Sequence, residues 1–248
     1  MLNFDLWKQT QFFLGFFKKL LTAYWPSLLV LLLGICLPLL VFEELAVVIW
    51  RNDGSFAWDE SLLLAIHQTA QPQLDTFAVI FTKLGVSWGV IPVATAIALV
   101  LLRSRRWRSL TYFLTALLGN GLINRIAKEF LHRVRPNLWQ SISPEFDYAF
   151  PSGHAMSSMS FIAALVILTW SSRWRWLILA GGSVFVVAIG WTRLYLGVHF
   201  PSDILAGWMV AIAWAVGVSL LIRPNLIKLS PLPEEKLTVN EEEAIASE

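Results

Sequence analysis

Residues 150–170, FPSGHAMSSMSFIAALVILTW, combine a turn-forming start with an apolar run. Proline, serine and glycine come before His154, and such residues favour a sharp entry into a helix whose first N–H groups are accessible. The residues that follow are mostly apolar as far as Trp170, and about 20 helical residues cross the hydrocarbon core of a bilayer. The stretch therefore predicts a membrane helix from Ser152 to Trp170 with a histidine on its first turn.

The composition indicates that this helix is one of several. Of the 248 residues, 56% are hydrophobic and only 15% are charged, and the mean hydropathy is +0.62. A single soluble core of this size cannot hide so many apolar side chains. Six apolar runs can each cross a bilayer, over residues 26–42, 86–102, 107–131, 152–170, 176–191 and 204–222. The sequence thus predicts an all-α polytopic membrane protein with a six-transmembrane-helix bundle.

Three further segments have their own patterns. Residues 1–24 combine Phe and Leu with lysines at helical spacing, which predicts an interfacial amphipathic N-terminal segment ahead of a membrane domain at 25–222. The stretch WDESLLLAIHQ (58–68) predicts an additional amphipathic helix on the outer surface, and residues 76–84 either extend the second span or form a separate surface helix. Residues 223–248 contain prolines and acidic residues but no aromatics, and they predict a disordered cytoplasmic tail.

Basic residues are unevenly distributed between the two ends of the spans. The positive-inside rule predicts a multi-pass protein of the cell inner (plasma) membrane with both termini in the cytoplasm. With this orientation every inner loop is basic, through Lys8, Lys18, Lys19, Arg103, Arg105, Arg106, Arg108, Arg173, Arg175, Arg223 and Lys228. A second group of cations needs a different explanation because it lies at or near the outer ends of spans three and five: Arg125, Lys128, Arg133, Arg135 and Arg193.

The charge pattern also limits the partners. The net charge of +2 is what basic cytoplasmic loops produce, and no soluble segment carries a basic stripe with interleaved aromatics. We therefore expect no nucleic acid partner. The expected partners are the lipid bilayer and a membrane lipid, and the sequence indicates no particular oligomeric state.

Costly polar groups collect in three patches that the predicted topology places at the outer face. The first is KEFLHRVRP, with Lys128 and Arg135, and the second is PSGH, with His154. The third is TRLYLGVHFPSD, which contains Arg193, His199 and Asp203. Because the patches leave span three, enter span four and join spans five and six, we expect them to converge into one site.

The residue types in these patches suit a phosphate. Arginine forks match phosphate oxygens and lysine adds a point charge, so Arg135, Arg193 and Lys128 can surround a phosphoryl group and neutralise its transition state. At the start of span four, Ser152 and Gly153 are expected to present backbone N–H groups and the positive end of a helix dipole. The sequence predicts an anion site there.

Two histidines supply the chemistry for phosphoryl transfer. Asp203 is four residues after His199, and on a helix that starts near Pro201 its carboxylate can reach one imidazole nitrogen. Such a partner leaves the other nitrogen free to attack, and His154 can then protonate the leaving oxygen. Transfer through a phosphohistidine to water needs no metal and no cofactor.

These motifs resemble those of the type-2 phosphatidic acid phosphatase superfamily. Residues 128–136 match K-x6-R-P, residues 151–154 match P-S-G-H, and residues 193–203 match R-x5-H-x3-D. The resemblance covers about residues 75–222 and implies a lipid phosphatase with six membrane helices. Its roles imply His199 as nucleophile, Asp203 as partner and His154 as acid, with phosphate ligands Lys128, Arg135, Ser152, Gly153 and Arg193. Thr192 stands where the family usually has serine.

Several alternatives stay open at this point. By the resemblance, phosphatidic acid is the leading substrate, ahead of phosphatidylglycerol phosphate and undecaprenyl diphosphate. A lipid-linked phosphotransferase, a non-catalytic protein that binds or transports an anionic lipid, and a vanadate-dependent peroxidase use similar anion sites, although the six spans argue against the last. His132 and Arg133 match no position of the motif and are expected to be headgroup or surface contacts. Asn120, Asn124 and Arg125 are expected to face other helices.

Overall fold

The computed structural model describes residues 6–51 and 56–224, which form helices and loops without a β-strand. The prediction of an all-α protein is confirmed for this part of the chain. Most of the predicted disordered tail at 223–248 and the first residues of the predicted interfacial segment at 1–24 lie outside the described residues.

The described residues contain nine α-helices. A π-helical segment, Leu32–Cys36, joins α1 to α2, and a 3-10 turn, Lys83–Gly85, follows α4. The bounds are Leu6–Leu31 for α1, Leu37–Arg51 for α2, Ala57–His67 for α3, Pro72–Thr82 for α4, Val90–Arg103 for α5, Trp107–Leu131 for α6, Gly153–Leu168 for α7, Arg175–Tyr195 for α8 and Pro201–Ile222 for α9.

Within residues 6–51 and 56–224, four helical stretches are long and apolar enough to cross a bilayer. They are Tyr24–Arg51, Pro72–Arg103, Arg175–Tyr195 and Pro201–Ile222, and α7 is a shorter apolar helix. The second stretch includes α4 as well as α5, and it therefore contains residues 76–84. Helix α6 coincides with the predicted third span but carries Arg125, Lys128 and Glu129 in its C-terminal half, which lowers its hydropathy.

The short helix α7 lies in the centre of the bundle. It packs against α9, α8 and α6, and six of its residues are buried. Its approach to α9 is close because Gly207 has no side chain: a Cβ there would lie 3.0 Å from the carbonyl oxygen of Ser152 and 3.2 Å from Cγ of Met156. Small residues at such contacts are typical of helices packed within a membrane. Helices α6 and α8 end, and α7 and α9 begin, at the same end of the bundle.

Helices α3 and α4 pack on this end of the bundle. Helix α3 contacts α8 and α9, and α4 contacts α8. Leu63 and Asp59 of α3 have no exposed surface, and the Tyr195 hydroxyl donates to the Asp75 carboxylate on α4 at 2.7 Å. The helix predicted at residues 58–68 is therefore present, and one face of it is built into the protein.

The N-terminal helix does not divide where the domain boundary was expected. Helix α1 runs from Leu6 to Leu31 without a break at residues 24 and 25, and the π-helical segment carries it on into α2. Large apolar side chains along this helix are exposed, among them Trp25, Leu28 and Leu33. Such surface suits contact with lipid chains.

Candidate active site

The three motifs meet at the end of the bundle where α7 and α9 begin. Lys128 is in the last turn of α6, which stops before His132, a residue in the left-handed conformation with φ 44°. An irregular connecting segment, residues 132–152, then leads to α7. At its end the backbone N–H of Ser152 donates to the carbonyl oxygen of Asp203 at 3.1 Å. The predicted convergence of the motifs is found.

The two nitrogens of His199 have different partners. Nδ1 lies 3.3 Å from the Asp203 carboxylate, and Nε2 lies 3.1 Å from a guanidinium nitrogen of Arg135. Because a guanidinium only donates hydrogen bonds, Nε2 is the acceptor and the ring proton is on Nδ1, which donates to Asp203. Helix α9 begins at Pro201, close to the predicted start. The result is an imidazole with a lone pair on Nε2.

The surroundings of His199 keep this imidazole neutral. Burial lowers the pKa of His199 well below its usual value of 6.5, and the nearby cations Arg135 and Arg193 lower the pKa further. The residue is 1% exposed. A neutral imidazole whose other nitrogen is held by a carboxylate is the form that a nucleophile requires.

Arg135 and Arg193 lie on opposite sides of the same site. Arg135 donates to the carbonyl oxygens of Asp147 at 2.7 Å and Val198 at 2.6 Å, which orients its guanidinium toward His199. Arg193 is 1% exposed and donates to the Thr82 hydroxyl at 2.9 Å. Both arginines are held by protein groups before any substrate enters.

The carboxylate of Glu145 lies between these arginines. It forms ion pairs with Arg193 and, at 2.8 Å, with Arg135. Its oxygens are 4.0 Å from Nδ1 of His154 and 3.9 Å from Nε2 of His199. Burial alone raises the pKa of Glu145, but Arg193 and Arg135 outweigh burial and hold this pKa below its usual value. An ionised group thus sits between both imidazoles and both arginines.

A second carboxylate of the connecting segment holds Lys128. Asp147 pairs with the Lys128 ammonium and also with Arg135. Burial raises the pKa of Asp147, yet hydrogen bonds from Lys128 and Arg135 bring this pKa below its usual value. Sequence reasoning did not single out Glu145 or Asp147. The sequence did contain a signal for them. The three motifs carry several cations but only one carboxylate, Asp203, and two acidic residues stand just before PSGH.

The start of α7 differs in one respect from expectation. Ser152 was expected to offer its backbone N–H to an anion, but this N–H is already bonded to Asp203, so that detail is wrong. Within the described part of the chain, the buried Ser152 hydroxyl has no hydrogen-bond partner. Gly153 is the first residue of α7, and His154 follows with 22% of its side chain exposed.

Thr192 stands one residue before Arg193 and points away from the anion site. Its hydroxyl is buried and donates to the carbonyl oxygen of Ile189 within α8 at 2.6 Å. The hydroxyl that threonine shares with serine is therefore used inside the helix.

Arg133 was expected at the surface, and this expectation is wrong. Its side chain has no exposed area and pairs with Asp59 at 2.7 Å and with Asp203. The reason is the left-handed turn at His132, which ends α6 and directs the next residue inward between α3 and α9. His132 itself is exposed, and its ring packs edge-on against Tyr148. The only signal for this role in the sequence is that Arg133 lies between the motif positions Lys128 and Arg135.

A groove of about 700 Å³ leads from the cationic end down the side of the bundle. Lys128, Glu145 and His154 line its polar end. Toward the other end its walls are apolar side chains of α5 and α6, including Val90, Ala94, Ala98, Leu114, Leu117 and Leu118. Asn120 and Asn124 line it part of the way along. The groove is suited to a molecule with an anionic head and an apolar body.

Comparison with known proteins gives one consistent result. A sequence model described as the PAP2 superfamily matches residues 109–227. The chain is 30% identical over 178 residues to phosphatidylglycerophosphatase B of Bacillus subtilis, which covers 70% of this chain and 87% of that protein. It is 27% identical over 193 residues to an undecaprenyl-diphosphatase of Sulfolobus acidocaldarius, which covers 74% of this chain and 88% of that protein.

Similarity extends to a solved structure. A transmembrane PAP2-type phosphatidylglycerolphosphate phosphatase from Bacillus subtilis superposes with a TM-score of 0.68 at 27% sequence identity. The superposition covers 78% of this chain and 97% of that chain. The similarity therefore includes the helices that carry the site and is not limited to the motifs.

Proposed function

This chain belongs to the PAP2 superfamily and is a membrane lipid phosphatase, and we propose that it works through a phosphohistidine on His199. In this proposal His154 is the general acid and Asp203 supports the nucleophile. Lys128, Arg135 and Arg193 bind the phosphoryl oxygens, together with the Ser152 hydroxyl and the backbone N–H of Gly153.

The observation that carries the proposal is the position of the Glu145 carboxylate. It is an anion paired with Arg135 and Arg193 and within 4.0 Å of both His154 and His199. Its oxygens stand in for phosphoryl oxygens, because guanidinium forks bind carboxylates and phosphates in the same way. A phosphoryl group that displaces Glu145 would meet the nucleophile on one side and the acid on the other.

The first chemical step transfers the phosphoryl group to the protein. Nε2 of His199 forms a bond to phosphorus while the bond from phosphorus to the lipid oxygen breaks, and that oxygen takes a proton from His154. The Nδ1–H of His199 stays hydrogen-bonded to Asp203, whose negative charge stabilises the positive ring. The arginines neutralise the charge on the phosphoryl oxygens as the transition state forms.

The second step releases inorganic phosphate. A water molecule gives a proton to His154 and attacks phosphorus, and the bond from phosphorus to Nε2 breaks. His154 is then protonated and His199 is neutral, so both are ready for the next turnover. Capture of the phosphoryl group by another hydroxyl in place of water would make the protein a phosphotransferase.

The groove supports a lipid whose chain lies between α5 and α6. On α6, Asn120 is eight residues before Lys128, which is about 12 Å along the helix. Asn120 lines the groove, and its side-chain amide N–H can donate to an ester oxygen next to the lipid head, which a glycerolipid has and a polyprenyl chain lacks. We therefore place phosphatidic acid and phosphatidylglycerol phosphate ahead of undecaprenyl diphosphate.

We also propose six membrane crossings, with α6 and α7 added to the four long apolar stretches. Helix α7 has 16 residues, about 24 Å by helical rise, and its neighbours shield it from lipid. The basic residues between α5 and α6 and between α7 and α8 lie at the end opposite the site. The positive-inside rule then supports cytoplasmic termini and an active site on the outer side of the inner membrane.

The test is phosphate release by purified protein in detergent with EDTA present. Phosphatidic acid, phosphatidylglycerol phosphate and undecaprenyl diphosphate are compared with no added acceptor. Release in EDTA that is lost in His199→Ala but kept in Leu122→Ala would support the mechanism, because Leu122 is exposed on α6 and outside the site. Release only after an acceptor lipid is added would favour the phosphotransferase, and full activity of His199→Ala would refute the phosphohistidine.

A further inference from the structure

A buried ionic cluster includes Asp203, and its other members play no part in the steps described above. It consists of Asp59 from α3, Arg133 from the connecting segment, and Ser202 with Asp203 from α9. The side chains of Asp59, Arg133 and Asp203 have no exposed surface. Buried charges in such numbers are costly unless they are paired and hydrogen-bonded, so the function of the cluster needs an explanation.

Arg133 joins the two carboxylates. One terminal nitrogen donates to Asp203 and to the Ser202 hydroxyl, the latter at 2.7 Å, and the other terminal nitrogen donates to Asp59 at 2.7 Å. The guanidinium carbon also lies 4.4 Å from the centre of the Phe200 ring. The planar guanidinium of Arg133 thus donates to three side chains, and it fixes their positions relative to one another.

Asp59 anchors the start of α9 from another helix. Its carboxylate accepts the backbone N–H of Ser202 at 3.0 Å and the Ser202 hydroxyl at 2.6 Å. The first backbone N–H groups of a helix have no partner within the helix, and a negative charge near them is favourable. The short helix α3 is therefore tied to the turn that carries the catalytic pair.

The two carboxylate oxygens of Asp203 have different partners. Oδ1 is paired with Arg133, while Oδ2 accepts the backbone N–H of Phe200 at 2.8 Å and faces Nδ1 of His199. Rotation of the carboxylate would break the contact with Arg133 and would turn Oδ2 away from the imidazole. The orientation of the Asp203 carboxylate therefore depends on Arg133.

We propose that Arg133 and Asp59 are positioning residues that hold the Asp203 carboxylate directed at Nδ1 of His199. Arg133 contacts the Asp203 carboxylate and Asp59 contacts Arg133, so both are placed to act on the reaction through Asp203. The proposal rests on the mechanism above, because it assigns Asp203 the support of the nucleophile. It also makes α3 a part of the catalytic apparatus.

The first variant is Arg133→Lys, which keeps the positive charge but cannot bridge both carboxylates. We expect kcat for phosphate release from phosphatidic acid to fall about 10- to 100-fold, the range found for residues that orient a reacting group. KM and the Ki for orthovanadate should change less than about twofold, because the phosphoryl ligands are untouched. Arg125→Lys, an exposed arginine on α6, is the matched control.

A second variant guards against failure to fold. The pair Asp59→Asn with Arg133→Gln removes one charge of each sign and leaves two amides, of which only the asparagine matches the original shape, so no unpaired buried cation is created. Its kcat should fall at least as far as that of Arg133→Lys. Glu60→Gln, on the exposed side of α3, should leave kcat unchanged. Size-exclusion profiles in detergent report whether each variant is folded.

The decisive measurement combines these changes with Asp203→Asn. If Arg133 acts through Asp203, then Arg133→Lys in the Asp203→Asn protein causes little further loss of kcat. If the two substitutions reduce kcat by factors that multiply in the double variant, the inference is overturned. A Ki for orthovanadate that rises as kcat falls would overturn it as well. Full kcat in Asp203→Asn alone would overturn the mechanism as well. Loss in Asp203→Asn with full kcat in folded Arg133→Lys would overturn only the positioning role.

Discussion

The carboxylate of Glu145 lies 2.8 Å from the guanidinium of Arg135, at the place where a phosphoryl group would bind. The same carboxylate is paired with Arg193. The site therefore holds an anion of its own, and in the proposed mechanism an incoming phosphate competes with it. This relationship leads to the first prediction.

Replacement of Glu145 by glutamine should strengthen binding of anions at the site. The amide keeps the shape of the side chain but gives up the ion pairs, so Arg135 and Arg193 are left for the ligand. We expect the Ki for orthovanadate to fall by about tenfold, equivalent to about 1.4 kcal/mol. The thermal shift that orthovanadate produces should increase as well.

The control for this prediction is Glu129→Gln, an exposed glutamate of α6 near the same end of the bundle. It should leave the Ki unchanged. Weaker inhibition in Glu145→Gln would mean that the glutamate assists anion binding and does not compete with it.

The second prediction concerns the protonation of His199. Its lowered pKa means that the imidazole is neutral above this pKa and stays neutral as the pH falls through 6.5, where an ordinary histidine gains a proton. The chain has four histidines, so ring-nitrogen NMR of labelled protein can follow each one. His199 should not titrate between about pH 7.5 and 5.5.

Assignment of the NMR signals would come from His199→Gln and His132→Gln. A ring signal lost in His199→Gln that titrates near pH 6.5 or above would contradict this prediction. It would show that the cations around the ring are screened in the detergent-bound protein.

The third prediction tests the groove. Asn120→Leu removes a side-chain amide that lines the groove and whose N–H can donate to a lipid ester oxygen. We expect kcat/KM for phosphatidic acid to fall about fivefold, the equivalent of one hydrogen bond of about 1 kcal/mol. The kcat/KM for undecaprenyl diphosphate should not fall, because a polyprenyl chain has no polar group that could form a hydrogen bond with the amide.

An exposed neighbour on the same helix, Leu122→Ala, provides the control and should leave the ratio of the two values unchanged. Equal losses on both substrates in Asn120→Leu would show that the amide supports the helices and does not distinguish lipids.

The fourth prediction concerns Gly197, two residues before His199. Its φ of +66° is a conformation that disfavours side chains, and a Cβ there would lie 2.6 Å from the Trp139 ring. Gly197→Ala should lower the thermal stability in detergent, with about 1–2 kcal/mol from the backbone conformation alone, and it should reduce kcat by displacing His199. The control is Gly181→Ala, where no atom lies within 4 Å of the added carbon, and it should leave thermal stability and kcat unchanged. A fully stable and active Gly197→Ala would contradict the structure of this turn.

The amino-acid sequence by itself determined the class of protein and predicted which residues would meet in the candidate site. Apolar runs of membrane length predict helices because the bilayer leaves the backbone no other partner for its N–H and C=O groups. Their order along the chain places K-x6-R-P, PSGH and R-x5-H-x3-D at one end of the bundle. Proline at the start of α9 and the spacing of His199 and Asp203 predicted their contact, because these are local features.

The tertiary structure decided which charges surround that reacting pair. Glu145 and Asp147 are in an irregular segment, where no periodicity tells which way a side chain points. Arg133 is buried because the left-handed turn at His132 directs it between α3 and α9, and its partner Asp59 is 74 positions away in the chain. Ion pairs between distant residues depend on how helices pack, and packing depends on every side chain of the bundle at once.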